Sequence, residues 1–246
     1  MHYFFSDVHL GLGSAASSRE RERIVLSFFD MLLENKAESL YIVGDLFDYW
    51  FDYRTVIPRG FVRTLGGIAR LVDAGVRVEY VVGNHDFGHR DFFQDELGVA
   101  LHEGDVEVML GGRRCYIAHG DGKAFNDTGY RILKKVLRAR SSNMLFRFLH
   151  PDVGIGVAAY ASRRSRDFTN TKNYQGDVPG EGDGLRTFAE RKIRDEGFDV
   201  VIMGHNHSPA FVEHNPGHYV NLGTWLRERS YLVLGDDTLE LRQFAG

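Results

Sequence analysis

Five short polar clusters carry the side chains from which this sequence can build chemistry: Asp7-Val8-His9, Gly44-Asp45, Gly83-Asn84-His85-Asp86, His119-Gly120-Asp121 and Gly204-His205-Asn206-His207. Carboxylate, amide oxygen and imidazole together suit Mn²⁺, Fe, Co or Zn²⁺, and the lack of thiolates in the set argues against a structural zinc knot. The candidate ligands are Asp7, His9, Asp45, Asn84, His119, His205 and His207. That set is too large for one ion and suffices for two if one carboxylate bridges. Asp45 is the best bridge, as the only ligand of its cluster and the residue placed directly after an apolar run. Two ions about 3.5–4 Å apart lower the pKa of water held between them and clamp the oxygens of a phosphoryl centre during in-line displacement. His85, next to Asn84, can orient or protonate a phosphate oxygen, and Asp86 can orient His85. Asn84, His85 and His205 are accordingly expected to face substrate as well.

Taken singly, the clusters prove little, since Gly-Asp is ordinary turn chemistry and Asn before His can cap a turn. Their positions change that. Each follows a β-rich apolar run: Tyr3-Phe4-Phe5, Leu40 to Val43, Val78 to Val82, Cys115 to Ala118 and Val200 to Met203. The sequence thus delivers metal-type ligands at the ends of five expected strands.

The elements that must position them follow from periodicity. Between the first strands, Arg19 to Asn35 places Ile24, Phe28, Met31 and Leu32 at helical spacing behind an N-cap region at Ser17-Ser18. Pro58 to Ala74 forms a second amphipathic helix ended by Gly75. This strand–helix alternation predicts a largely parallel sheet with its ligand sites beyond the carboxyl ends of the strands. Val106 to Leu110 and Arg113 to Ala118 read as a hairpin turned by Gly111-Gly112. Five more strands follow: Asp199 to Met203, Ala210 to Glu213, His218 to Asn221, Tyr231 to Leu234 and Leu239 to Arg242. The expected fold class is α/β, an α+β sandwich of two mixed sheets packed face to face and flanked by helices.

At 246 residues, 43% hydrophobic and 26% charged, the chain suits one large domain over 1–246 with one insertion. A net charge of −4 argues against a general nucleic-acid binder. The single Cys115 rules out an intramolecular disulfide framework and points to a reducing compartment. Met1 runs almost at once into the first strand, so no secretory signal is expected, and no apolar window reaches the roughly 20 residues of a membrane span.

The insertion, at about 126–177, has its own texture. Between Gly129 and Arg166, the cations Arg131, Lys134, Lys135, Arg138, Arg140, Arg147, Arg163, Arg164 and Arg166 stand against a single acid, Asp152, among interleaved Leu, Ile, Val and Phe residues. That is the pattern of a basic amphipathic helical cap, left by a Gly-rich exit from Gly176 to Gly184. Its apolar face either packs on the core or forms a groove. Tyr49-Trp50-Phe51 and Tyr53 carry the same ambiguity between core packing and a uridine or acyl pocket, whereas Trp225 is assigned to the core. His2, His89, His102 and His218 lack ligand-type neighbours and are read as structural or exposed. His150 and His214 have no assigned role, and Asp121 is read as structural.

Asp-x-His, Gly-Asp, Gly-Asn-His-Asp, His-Gly and Gly-His-x-His, in this order, resemble the calcineurin-like metallophosphoesterases. The resemblance implies a two-sheet sandwich holding two divalent ions, with Mn²⁺ the expected metal. It implies that Asp7, His9, Asp45 and His207 hold one ion, that Asp45, Asn84, His119 and His205 hold the other, and that His85 is the catalytic histidine. Within that superfamily, Ser6 to Gly11, Gly44 to Trp50, Gly83 to Asp86 and His119-Gly120-Asp121 with Asp127 and Tyr130 are similar to the UDP-2,3-diacylglucosamine hydrolases of lipid A biosynthesis. This second resemblance implies a glycolipid nucleotide substrate, cleaved at its pyrophosphate to UMP and the acylated sugar 1-phosphate, and a cap that binds lipid. In that group a Ser, an Asn and a Lys late in the cap contact substrate. Ser165 and Lys172 match two of them, but Thr169 occupies the Asn position, with Asn170 next to it. Asp127, which opens the insertion, joins these as an expected substrate contact. Localisation is expected to be cytoplasmic, peripheral on the inner leaflet of the inner membrane. Two rivals stand beside this reading: a phosphoesterase for a soluble substrate such as a cyclic nucleotide or nucleotide diphosphate, and a non-catalytic scaffold on a lipid surface.

Overall fold

The computed structural model describes residues 1–123, 146–157, 160 and 181–246. The amino-terminal part alternates strand and helix: β1 (His2–Phe5), α1 (Ala15–Glu34), β2 (Ser39–Val43), α2 (Val62–Asp73), β3 (Arg77–Val81), α3 (Phe92–Asp95) and β4 (Ala100–His102). Helical crossovers leave consecutive strands parallel. His2 accordingly stands beside Ser39, Ser39 beside Arg77, and Glu79 beside Ala100. The remainder supplies β5 (Val106–Leu110), β6 (Arg113–Ala118), α4 (Glu181–Glu196), β7 (Val200–Met203), β8 (Ala210–His214), β9 (Gly217–Asn221), β10 (Ser230–Leu234) and β11 (Leu239–Gln243). Two mixed sheets result, ordered β11-β10-β1-β2-β3-β4 and β5-β6-β7-β9-β8.

Alternation along each strand divides its side chains between two layers. Phe4, Tyr41, Val43 and Val81 of the first sheet meet Ile117, Val200, Ile202 and Val220 of the second in an apolar seam. The intervening residues Tyr3, Phe5, Leu40, Ile42, Val78 and Tyr80 face the other way, onto Val25, Phe28 and Phe29 of α1 and Leu65 and Ile68 of α2. On the far side of the second sheet, Tyr116, Val201, Met203 and Tyr219 pack on Leu185, Ala189 and Ile193 of α4. The layers therefore run helix, sheet, sheet, helix, which is the sandwich expected from the sequence.

The differences from the sequence reading are local. Helix α1 begins at Ala15 because Ser14, not Ser17 or Ser18, accepts from the backbone N–H of Ser17 at 3.1 Å. The helix expected from Pro58 begins as a 3₁₀ turn at Arg59–Phe61 before α2. Helix α4 starts inside the Gly-rich stretch read as an irregular exit. Leu185, Ala189 and Ile193 recur every four residues and bury against the second sheet, and that burial outweighs the helix cost of Gly182 and Gly184. The Gly111-Gly112 turn has φ of 50° and 69°, the positive pair that a two-residue hairpin requires. Trp225 is core: it packs on Phe5 and Phe28 at 5.1 and 4.9 Å. Trp50 is core too, buried among Phe47, Phe61 and Phe93.

Candidate metal centre

Every candidate ligand lies just past the carboxyl end of a strand: Asp7 and His9 after β1, Asp45 after β2, Asn84 after β3, His119 after β6, His205 and His207 after β7. The first three strands belong to one sheet and the last two to the other, so the site spans the seam between sheets. The side chains converge. His207 Nε2 lies 3.2 Å from both His9 Nε2 and Asp7 Oδ1. Asp45 Oδ2 is 3.4 Å from His119 Nε2 and 3.9 Å from His9 Nε2, which puts Asp45 between the two halves of the site. The Asn84 amide oxygen meets His119 Nε2 at 2.9 Å and His205 Nδ1 at 3.0 Å.

The backbone turns sharply to achieve this. Asp7, His9, Asp45, His205 and His207 all have φ between 51° and 73°, the left-handed region that non-glycine residues seldom enter. Such outliers cluster where the surroundings over-determine a functional geometry. Two preceding glycines are required by close approach. A Cβ on Gly83 would lie 2.1 Å from Asp45 Oδ1, and one on Gly44, itself at φ 82°, would lie 2.3 Å from His119 Nδ1.

The electrostatics are those of carboxylates that need cations. Burial alone would push Asp7 up, but His207 and the charge of His119 hold it at about 2. Burial likewise opposes ionisation of Asp45, yet His119 and His85 hold it well below the usual carboxylate range. The complement is His119: burial disfavours its charge, but Asp45 and Asp7 push it up to about 10. His207 is raised by Asp7 against its burial, while burial and the charge of His119 lower His205.

Three observations fit metal ions to these residues. Asp7 Oδ1 is buried without a hydrogen-bond partner, although two imidazole nitrogens stand 3.2 and 3.8 Å away. His119 Nδ1 donates to the Val43 carbonyl at 2.9 Å, which aims Nε2 at Asp45 and Asn84. Finally, ligand atoms of Asp7, His9 and His207, of His9, Asp45 and His85, and of Asp7, Asp45 and His119 each lie within 4.8 Å of one another.

His85 sits at the edge of this cluster, its ring edge-on to His9 at 5.1 Å. Its backbone N–H donates to Asp45 Oδ1 at 2.8 Å and its Nδ1 to the Asp48 carbonyl at 3.3 Å. Asp86 does not take the orienting role expected of it. Its buried carboxylate instead accepts from Gly83 N at 2.9 Å, Phe47 N at 3.4 Å and the Tyr80 hydroxyl, and so shapes the turn that carries Asn84 and His85. Asp121 is buried, and its charge favours protonation of His119 and His205.

The sequence reading missed three supports. Asp48 Oδ1 stands 3.7 Å from His9 Nδ1, the nitrogen turned away from the cluster. Thr224 Oγ1 and Trp225 N both donate to the Asp7 carbonyl, at 2.9 and 3.0 Å. Asn221 Nδ2 donates to the Gly204 carbonyl at 2.9 Å. Asp48 was visible in Gly44-Asp45-Leu46-Phe47-Asp48 as a second acid after one strand. Asn221 and Thr224 gave no ligand-type signal, because they act on backbone.

Asp127, Ser165, Thr169 and Lys172 lie outside the described residues, as does most of the expected cap. Its described part reaches the core through Phe146, 4.5 Å from Phe51, and through Arg147. Arg147 donates to the carbonyls of Asp52, Gly88 and His89 at 3.2, 3.4 and 3.3 Å.

Residues 3–209 match the family described as calcineurin-like phosphoesterase. A UDP-2,3-diacylglucosamine hydrolase of Porphyromonas gingivalis is 34% identical, the alignment covering 97% of this chain and 95% of that protein. The protein of the same name in Pseudomonas entomophila is 28% identical over 99% of each. Among solved structures, an archaeal phosphodiesterase aligns over 98% of both chains at 14% identity and a TM-score of 0.45.

Proposed function

This chain belongs to the calcineurin-like phosphoesterase family, and on that premise we propose that it hydrolyses the pyrophosphate bond of UDP-2,3-diacylglucosamine, giving UMP and 2,3-diacylglucosamine 1-phosphate. The observation that carries the reading is the full donor set gathered across the seam between sheets, in a chain aligned nearly end to end with hydrolases of that name. Bound in such a set, two divalent cations supply Lewis acidity to the phosphoryl oxygens and to attacking water.

The protein's own groups do the rest. Asp7, His9, Asp45 and His207 are proposed to hold one ion and Asp45, Asn84, His119 and His205 the other, with Mn²⁺ the proposed metal. The Val43 carbonyl fixes the outward nitrogen of His119, which sets its ligand nitrogen, and the Asp48 carboxylate faces the outward nitrogen of His9 at 3.7 Å. The Asp48 carbonyl can only accept, so Nδ1 of His85 bears a proton and Nε2 is the atom that exchanges one with a phosphate oxygen.

The residues at 126–177 are proposed as a cap inserted in a single domain, with Asp127, Ser165, Thr169 and Lys172 at the substrate. Support for a lipid substrate comes from exposed apolar side chains beside the Arg147 anchor: Phe148, Leu149 and Val153. No helix among the described residues is long and apolar enough to cross a membrane. Contact with the bilayer is therefore proposed as peripheral, at the cytoplasmic face of the inner membrane.

The deciding assay gives the Mn²⁺-supplemented protein UDP-2,3-diacylglucosamine, bis-p-nitrophenyl phosphate and a cyclic nucleotide in parallel. Release of UMP with the acylated sugar 1-phosphate is the expected result. Turnover of only the soluble substrates would overturn the glycolipid assignment, and turnover of none would leave a binding scaffold.

A further inference from the structure

Beyond the metal centre the loops that leave β2 and β3 run side by side, and one side chain from the segment proposed as a cap closes their far end. At the near end, His85 N donates to Asp45 Oδ1 at 2.8 Å and His85 Nδ1 to the Asp48 carbonyl at 3.3 Å. Further along, Phe51 pairs with Gly88 in an isolated parallel bridge, and Asp52 N donates to the Gly88 carbonyl at 3.3 Å. A Cβ on Gly88 would fall on the Trp50 carbonyl and the Phe51 ring, so the two loops touch there.

Arg147 completes this ladder. Its Nε donates to the Asp52 carbonyl on one loop at 3.2 Å, and its Nη2 to the Gly88 and His89 carbonyls on the other at 3.4 and 3.3 Å. Different nitrogens serve different loops, so the rigid guanidinium sets the distance between them. The head also lies 5.0 Å from the centre of the Phe51 ring and 3.9 Å from the fully buried Asp52 carboxylate. Without this cation the three carbonyl oxygens would converge with no donor between them, and the loops would part. Anchoring the segment does not by itself call for donors to two loops, since Phe146 already packs on Phe51 at 4.5 Å. The link to the chemistry is short. Gly88 lies three residues after His85, and Asp52 four after Asp48, whose carbonyl holds the imidazole. That bond, at 3.3 Å, is longer than the usual range of about 2.7–3.2 Å, so the place of the ring follows the spacing of the loops.

We propose that Arg147 is a positioning residue for His85: it ties the loops after β2 and β3 together and so sets the ring that serves the phosphate, an inference that rests on the role proposed for His85. The test is steady-state kinetics on bis-p-nitrophenyl phosphate, which has neither sugar nor acyl chains, with amide hydrogen exchange of the metal-free full-length protein beside it. Arg147→Met keeps an apolar stem against Phe51 and removes the donors and the charge. Arg147→Lys keeps the charge but has one nitrogen for two loops. Both are expected to lower kcat with Mn²⁺ by about tenfold or more, with KM unchanged within about twofold. Exchange at the His85 N–H should quicken by about tenfold in both, while the amides of β2 and β3 keep their protection. Arg147→Lys decides the matter if Arg147→Met fails to fold, and failure of both to fold would overturn the positioning role. Full kcat in every variant that folds, or a raised KM for UDP-2,3-diacylglucosamine with no change on the small diester, would also overturn it and leave Arg147 an anchor of the segment. A wild type that cleaves the diester but not UDP-2,3-diacylglucosamine loses the glycolipid assignment and leaves this test intact. If the wild type turns over neither, exchange at His85 decides alone, and an unchanged rate in the variants would overturn the proposal.

Discussion

Asp45 is the residue on which the two halves of the site depend, since its carboxylate faces His119, His9 and the backbone of His85 at once. Asn tolerates the left-handed backbone that Asp45 adopts at φ 53°, so Asp45→Asn should fold. Turnover should fall by at least about a hundredfold, beyond the effect of losing an outer support, and Mn²⁺ stoichiometry should drop from two to one or none. A metal titration beside a circular-dichroism melt measures both. Asp52 makes a different prediction. Burial pushes its carboxyl up to about 6, against the weaker pull of the Phe92 N–H and Arg147. The folded protein then holds a proton that the unfolded chain releases near pH 4, so stability falls as pH rises from about 4 to 6. Asp52→Asn keeps an oxygen for Phe92 N and removes the titration. It should stabilise the protein at pH 7.5 by up to about 3 kcal/mol and have no such effect at pH 4, as read from denaturant midpoints.

At the scale of elements, the site is built from tight turns at strand ends, and glycines set how close those turns come. Gly83→Ala would drive a methyl onto Asp45 Oδ1 and against the backbone N of Asp45 at 2.5 Å. Mn²⁺ affinity should weaken by about tenfold or more while the strands on either side stay paired, a pattern that calorimetry with far-ultraviolet circular dichroism resolves. These turns were legible in the sequence, because Gly-Asp, Gly-Asn-His-Asp and Gly-His-x-His each follow an apolar run. Helix α4 was not. Gly182 and Gly184 made its start read as loop, and only the second sheet beneath Leu185, Ala189 and Ile193 makes helix the better state. Asp86 misled for a related reason: adjacency to His85 suggested contact, but the turn sends its carboxylate down to Tyr80 and Gly83.

For the whole molecule, the seam between sheets is the structure's main commitment, because it carries the strand ends from both sides to a common rim. Cys115 reports on it. The thiol is fully buried in that seam and pushed up to about 12 by burial and by Asp199. It should resist a thiol reagent at pH 8 until the sheets separate, so the labelling rate should track global unfolding in denaturant. Rapid labelling of the native protein would show that the seam opens locally. What the sequence by itself determined was the set of candidate donor residues and the parallel start of the first sheet, since residue type, strand periodicity and the turn after each strand are local properties. What only the tertiary structure decided was how those ligands share space. Asp45 between His9 and His119, and Thr224 and Asn221 bracing the turns at Asp7 and Gly204, all depend on distances between segments that are separate in the chain. Packing of one sheet on the other fixes those distances, and no local pattern encodes them.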